Sequence, residues 1–190
     1  MNDLATLPLH LQQRLNAELK PGERFIWSGQ PVPARYMKSG FKAWYFFVPW
    51  TAFSAFWIAS AAGYQWPALN SSWDLFPLAG LPFLLIGLAG LSTPFWLRRR
   101  ARSMIYAISN LRAMTIEGAN SFTVKSYFAK DIAEVVRTEH SDGSGDLVLR
   151  TEHYRDSDGD RQTRAHGFMA VARVREVERF IEKLRQAESA

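Results

Sequence analysis

The spacing of apolar residues changes character three times along this chain. Near the start, Leu7, Leu11, Leu15 and Leu19 recur at every fourth position, with Gln12, Gln13 and Asn16 between them. That spacing predicts a short amphipathic helix over 3–19, ended by Lys20-Pro21-Gly22. The extended segment and turn at 22–31 read as a linker at a membrane surface. Next, Trp44 to Tyr64 and Leu75 to Leu97 contain no Asp, Glu, Lys, Arg or His. Each is about 20 residues, and a helix of that length crosses a ~30 Å hydrocarbon core at ~1.5 Å per residue. Neither stretch has the polar face that a helix in a soluble bundle keeps. The pattern therefore predicts a transmembrane helical hairpin.

Beyond Arg102 the period drops to two and the apolar runs shorten. Met104–Ile108, Arg112–Ile116, Ser121–Phe128, Ile132–Arg137, Asp146–Thr151 and, more weakly, Gln162–Phe168 read as strands. Asn110, Gly118-Ala119-Asn120, residues 141–145 and residues 156–160 read as turns. Phe122 and Val124 alternate with Thr123 and Lys125, which predicts an antiparallel meander with one buried face. Val174, Val177, Ile181 and Leu184 line one side of a terminal helix predicted over 171–186. The expected organisation is 1–42 as an N-terminal helix and linker, 43–97 as the hairpin, and 98–190 as a sheet capped or plugged by the last helix.

Aromatic rings mark the ends of both apolar stretches: Trp44, Tyr45, Tyr64 and Trp66 on the first, Trp73 and Trp96 on the second. Such rings sit well at headgroup depth. Lys38 and Lys42 precede the first stretch, and Arg98, Arg99, Arg100 and Arg102 follow the second, whereas the connection at 65–74 has no Lys or Arg. Basic residues stay on the cytoplasmic side, so both termini are expected there and the turn with Asn70, Ser71 and Ser72 outside. The first stretch is expected to act as its own uncleaved insertion signal. Within the spans, Thr51, Ala55, Ala59 and Gly63 form a small-residue face, and Gly80, Gly87 and Gly90 lie on the second. Small residues allow close helix packing in lipid. Pro49, Pro77, Pro82 and Pro94 are expected to kink or start helices. With no ionisable group at depth, a transport path is not expected.

The net charge of +5 changes the picture only near the spans. Residues 98–190 hold 17 Lys/Arg against 14 Asp/Glu; without the four arginines the balance is 13 against 14. The basic character thus belongs to the sequence beside the membrane, where it attracts anionic lipid by roughly 1 kcal/mol per charge. Nucleic-acid binding would want a basic face on the folded domain, so none is expected. The chain has no cysteine, which removes disulfides, thiolate metal sites and Cys nucleophiles.

Two motifs carry a resemblance. Gly22-Glu23-x-x-x-Trp27-Ser28-Gly29-x-Pro31 ahead of a membrane hairpin resembles the opening of bacterial membrane proteins with a pleckstrin-homology-like (PH-like) domain. Tyr106-Ala107-Ile108-Ser109-Asn110-Leu111-Arg112 is similar to the same family's Tyr-x-Ile-Thr-Asn-x-Arg pattern, with Ser109 in place of Thr. Gly167-Phe168 before the terminal helix is also similar. The resemblance implies a seven-stranded, bent antiparallel sheet capped by a C-terminal helix, in a protein of the bacterial inner membrane. Six strands are read above, so one is missing from that count. PH-like folds serve lipid binding, peptide binding and assembly, and the fold alone does not choose among them.

Candidate chemistry is sparse. Asp156-x-Asp158-x-Asp160 begins like a calcium loop, but Arg161 stands where the turn glycine belongs and Gly167 where the bidentate Glu belongs. A polar hairpin tip explains those residues. His10, His140, His153 and His166 lack ligand spacing, so no metal is expected. Ser28 and Ser109 lie in no nucleophile elbow, and Gly143-x-Gly145 completes no phosphate loop. No cofactor is expected. Asn110 and Arg112 are possible ligand contacts at the first hairpin, although Asn suits a left-handed turn and Arg an ion pair. Arg98, Arg99, Arg100 and Arg102 are expected at the membrane surface. The expected role is a non-catalytic binding, scaffolding or assembly protein, engaging anionic lipid and either a protein partner or a second copy. A lipid-headgroup sensor is the alternative, and a membrane hydrolase with an unrecognised site a remoter one. An enzyme predicts converging polar groups in a pocket, a scaffold an exposed apolar groove or self-association surface.

Overall fold

The computed structural model describes residues 7–64, 72–118, 121–132 and 134–189. Trp66, Asn70, Ser71 and the expected turn residues Ala119-Asn120 lie outside them. The chain divides into two units, one of 1–36 with 99–190 and the other of 37–98.

The first unit is an α+β fold with two antiparallel sheets. Helix α1 (Leu9–Ala17) precedes strand β1 (Phe25–Gly29). After the other unit come β2 (Ile105–Ser109), β3 (Arg112–Glu117), β4 (Thr123–Phe128), β5 (Val136–Glu139), β6 (Gly145–Arg155) and β7 (Arg161–Val171). One sheet has the order β1-β2-β3-β4 and the other β5-β6-β7. The C-terminal helix, Val174–Ser189, buries Val174, Val177, Ile181 and Leu184. It starts later than the predicted 171 because Val171 still pairs with Gly145 in β7.

The missing strand is β1. Its segment is not a linker: Trp27, Ser28 and Gly29 lie opposite Ile108, Ala107 and Tyr106 of β2. The expected boundary at residue 42 is corrected accordingly, since 1–36 belongs with the C-terminal half. The expectation of one buried face also fails for β2 and β3. Tyr106, Ile108 and Ala113 face a core shared with Trp27, Leu147, Phe168 and the C-terminal helix. Ile105, Ala107, Met114 and Ile116 face the other way, onto Leu7, Leu11 and Leu15. The leucine stripe of α1 therefore covers the back of the sheet, which is why Ile105–Ser109 is wholly buried.

At the centre, the Tyr106 ring stacks on Phe168 at 4.8 Å between centroids, and Trp27 stacks on Phe168 at 6.0 Å. Tyr106 Oη donates to Met169 O and accepts from Met169 N, both at 3.1 Å, so the buried hydroxyl joins the two sheets. The β6–β7 hairpin runs further than predicted. Pairing continues to Arg155↔Arg161, and beyond Leu149 the β6 side chains are exposed.

The second unit holds α3 (Trp44–Ala61) and α4 (Leu81–Leu91); α2 (Pro33–Lys38) and α5 (Thr93–Ala101) lie at its two ends. The predicted second span is not one helix. Residues Ser72–Gly80 form 3₁₀ turns containing Pro77, and α4 breaks at Ser92, just before Pro94. Proline lacks the N–H that an uninterrupted helix requires. No single helix among the described residues is long and apolar enough to cross a membrane. Phe76–Leu91 with Thr93–Ala101, bent by 41°, passes that test of length and composition as a pair.

The helices meet through two glycines of α4, one glycine at the end of the 3₁₀ segment before it, and larger residues of α3. A β-carbon at Gly87 would collide with Thr51, one at Gly90 with Phe47, and one at Gly80 with Ile58 and Trp57. Trp50 Nε1 donates to Phe83 O at 3.0 Å. Thr51 thus meets Gly87, whereas Gly80 meets Ile58 and Trp57 nearer the end of α3. Ala55 is exposed, Ala59 half-buried, and Gly63 lies past the end of α3 with open space around it. The contact face therefore runs through Phe47, Thr51, Ser54 and Ile58, one position off the predicted stripe. Gly87→Leu is expected to part the helices. With cysteines placed at Trp50 and Phe83 in this cysteine-free chain, disulfide yield falls in Gly87→Leu and holds in Ala55→Leu.

Candidate functional site

The two sequence motifs meet in space. Gly22, at φ +82°, adopts a left-handed turn that suits glycine and delivers Glu23 into the sheet. Arg112 Nε donates to Glu23 Oε1 at 2.9 Å and Nη2 to Oε2 at 3.2 Å. Its remaining bonds go to Ser126 Oγ at 2.7 Å and Glu18 O at 2.8 Å. Ser109 Oγ donates to Glu23 Oε1 at 2.7 Å, and accepts from the Arg112 N–H at 3.0 Å. Burial pushes the Glu23 carboxyl up, but the bonds from Arg112, Ser109 and the Lys20 N–H outweigh it, and its pKa lies at about 2 against an ordinary 4.5. Asn110 Oδ1 accepts from the Arg24 N–H at 2.8 Å.

Arg112 and Asn110 therefore take the ion-pair and turn roles that the sequence offered beside ligand contact. Arg112 is buried and makes four hydrogen bonds within the fold. Asn110 fastens β1 to the β2–β3 turn. The pair is a rivet between the N-terminal segment and the rest of the sheet. Of the arginines at 98–102, Arg98, Arg99 and Arg102 are exposed. Arg100 bonds Glu117 Oε2 at 2.5 Å, so part of its charge is spent inside the domain.

A different place gathers polar groups. A cleft of about 400 Å³ opens in the first unit, lined by Tyr36, Arg100, Glu117, Lys125, Tyr127, Arg164 and His166, with Tyr106 and Met169 at its base. β3 and β4 supply one wall and β7 the other; α2 and α5 contribute Tyr36 and Arg100. His166 Nε2 lies 3.1 Å from Glu152 Oε2. Lys125 and Arg164 have no carboxylate partner among the described residues, although Arg164 sits over the Tyr154 ring at 5.2 Å. Burial pushes the Tyr36 and Tyr127 hydroxyls up from the ordinary phenol value. Apart from Arg100, nothing in the sequence points to these residues, because they come from distant elements and share no spacing.

The Asp156 carboxylate accepts from the Asp158 and Asp160 N–H groups at 3.1 and 3.0 Å, which makes the 156–160 tip an ordinary tight turn. No group of three or more metal-ligating side chains is found among the described residues. No family model, curated protein or solved structure matches the chain.

Proposed function

We propose that this is a membrane-tethered, non-catalytic binding protein of the bacterial inner membrane. Its folded unit, a PH-like domain on this reading, sits on the cytoplasmic side and recognises a partner there. Four strands, then three, then a C-terminal helix accord with the architecture that the sequence resemblance implies. The observation that carries the tether is the surface of the second unit. Tyr45, Phe46, Phe53 and Phe56 on α3, and Leu81, Phe83, Leu85, Ile86 and Leu88 on α4, are all exposed. Neither helix holds a charged residue. So large an apolar surface is a liability in water and at rest in hydrocarbon.

The test is extraction and topology together. The full chain stays in the membrane pellet after alkaline carbonate, alkaline phosphatase inserted within 65–71 is active, and the same enzyme fused after residue 190 is inactive. Release by carbonate, or an active C-terminal fusion, contradicts the proposal. A protein partner or a second copy remains the first reading of what is bound. Headgroup sensing is the second, and the cationic cleft favours it.

A further inference from the structure

We infer that the cleft between β3–β4 and β7 is a binding site for a phosphate-bearing group. The inference deepens the headgroup reading by naming the site and the ligand chemistry. It rests on the membrane reading only where the phosphate is attached to a lipid.

Of the four basic side chains in the cleft, two are matched: Arg100 by Glu117 at 2.5 Å and His166 by Glu152 at 3.1 Å. Lys125 and Arg164 face the same space with no carboxylate among the described residues. Two unmatched cations in one concave site repel each other, and an anion removes that repulsion. Tyr36 and Tyr127 add hydroxyl donors. Ammonium, guanidinium and phenol donors converging on one space suit a group with several acceptor oxygens and about two negative charges. A phosphate monoester has that form, and Lys and Arg are the side chains that recognise it. A single carboxylate would satisfy fewer of these donors. The base of the cleft is fixed, because Tyr106 is held by two bonds to Met169. Lys125 and Tyr127 stand on β4 and Arg164 on β7, so these donors are preorganised on strands.

The cleft cations also lie apart from the groups that hold the fold. Lys125 and Arg164 belong neither to the hydrophobic core nor to the Glu23–Arg112 network. They can therefore be changed without touching the core or that network, Arg164 giving up only its approach to the exposed Tyr154 ring. Lys183, exposed on the C-terminal helix and outside the cleft, serves as the control.

The experiment uses the full chain in nanodiscs. In phosphatidylcholine discs, inorganic phosphate and glycerol 3-phosphate are titrated by calorimetry. In discs doped with phosphatidic acid, retained lipid is counted by native mass spectrometry against phosphatidylglycerol, whose phosphate is a diester. The wild type is expected to bind in at least one arm. Binding of soluble phosphate identifies a free ligand, and selective retention of phosphatidic acid identifies a lipid one. Lys125→Gln with Arg164→Gln is expected to weaken that binding at least tenfold with an unchanged circular-dichroism spectrum, whereas Lys183→Gln leaves it within twofold. Binding that survives in the double variant overturns the site. Absence of binding in every arm overturns the ligand class. A chain that is released by carbonate yet loses phosphate binding in the double variant retains the site while losing the membrane reading, so the two failures are distinguishable.

Discussion

Glu23→Gln lowers the stability of the folded protein by about 3–5 kcal/mol, the usual cost of breaking a buried ion pair from one side. The substitution leaves the Arg112 guanidinium buried with no counter-charge, and it replaces one of the two acceptor oxygens by an NH2 donor that cannot accept from Arg112 or Ser109. In a domain of this size such a loss lowers the thermal midpoint by on the order of 10 °C or more. The pH dependence follows from the same bonds. The folded carboxyl titrates at about 2 and the unfolded one near 4.5. A depressed carboxyl stabilises the fold above its unfolded value, so the contribution is intact above 4.5. It shrinks as the pH falls below that value and is gone once the pH has passed through about 2. Denaturant titrations between pH 6 and pH 2 should show this slope in the wild type and a flatter one in Glu23→Gln. Replacing both partners together, Glu23→Leu with Arg112→Met, should recover much of the loss, because a buried pair exchanged for apolar residues of similar volume is often neutral. Additive losses in that cycle would mean that the two residues act separately.

The second large effect concerns the N-terminal segment. A fragment of residues 99–190 is expected not to fold cooperatively. It lacks β1, so the edge of β2 is unpaired and Glu23 is missing beneath Arg112. It also lacks Leu7, Leu11 and Leu15, which cover Ile105, Ala107, Met114 and Ile116, and Trp27, which packs on Phe168. Each such side chain contributes about 1.5–3 kcal/mol by burial. Four of them equal a large share of the 5–15 kcal/mol that holds a typical domain together. Adding a peptide of residues 1–36 to the fragment should restore the near-ultraviolet signal of the buried tyrosines. A fragment that unfolds with the wild-type midpoint, and ignores the peptide, would contradict this account.

The parts of the fold that are legible in the sequence are those with a local period. The leucine repeat of α1, the apolar stripe of the C-terminal helix and the alternation in β4 and β6 all announce themselves within a dozen residues. β1 does not. It is five residues long, and its partner β2 lies beyond the whole hairpin, so no local pattern distinguishes it from a linker. The motif Gly22-Glu23-x-x-x-Trp27-Ser28 was visible, but its meaning depends on Arg112, which only the folded sheet brings within 2.9 Å. The hairpin glycines were half legible. Gly80, Gly87 and Gly90 do mark the contact, but their partners are Ile58, Thr51 and Phe47 rather than a matching stripe of small residues. The cleft was not legible, because Lys125 reads as the polar half of a strand and Arg164 as part of an exposed hairpin. Only the approach of β4 and β7 makes them neighbours.

The account's central claim is one folded unit, made of 1–36 and 99–190, that carries an apolar hairpin inserted between two paired strands. Tyr36 and Arg100, beside the two cut points, line the same cleft, so a short loop can join residue 36 to residue 99. The most direct measurement replaces residues 37–98 by a short glycine-rich loop and follows both solubility and fold. The account predicts that the shortened protein leaves the membrane fraction, folds cooperatively, and keeps the Glu23-dependent pH profile, while the intact chain stays in the carbonate-washed pellet. A shortened protein that cannot fold, or an intact chain that is fully soluble without it, would contradict the claim.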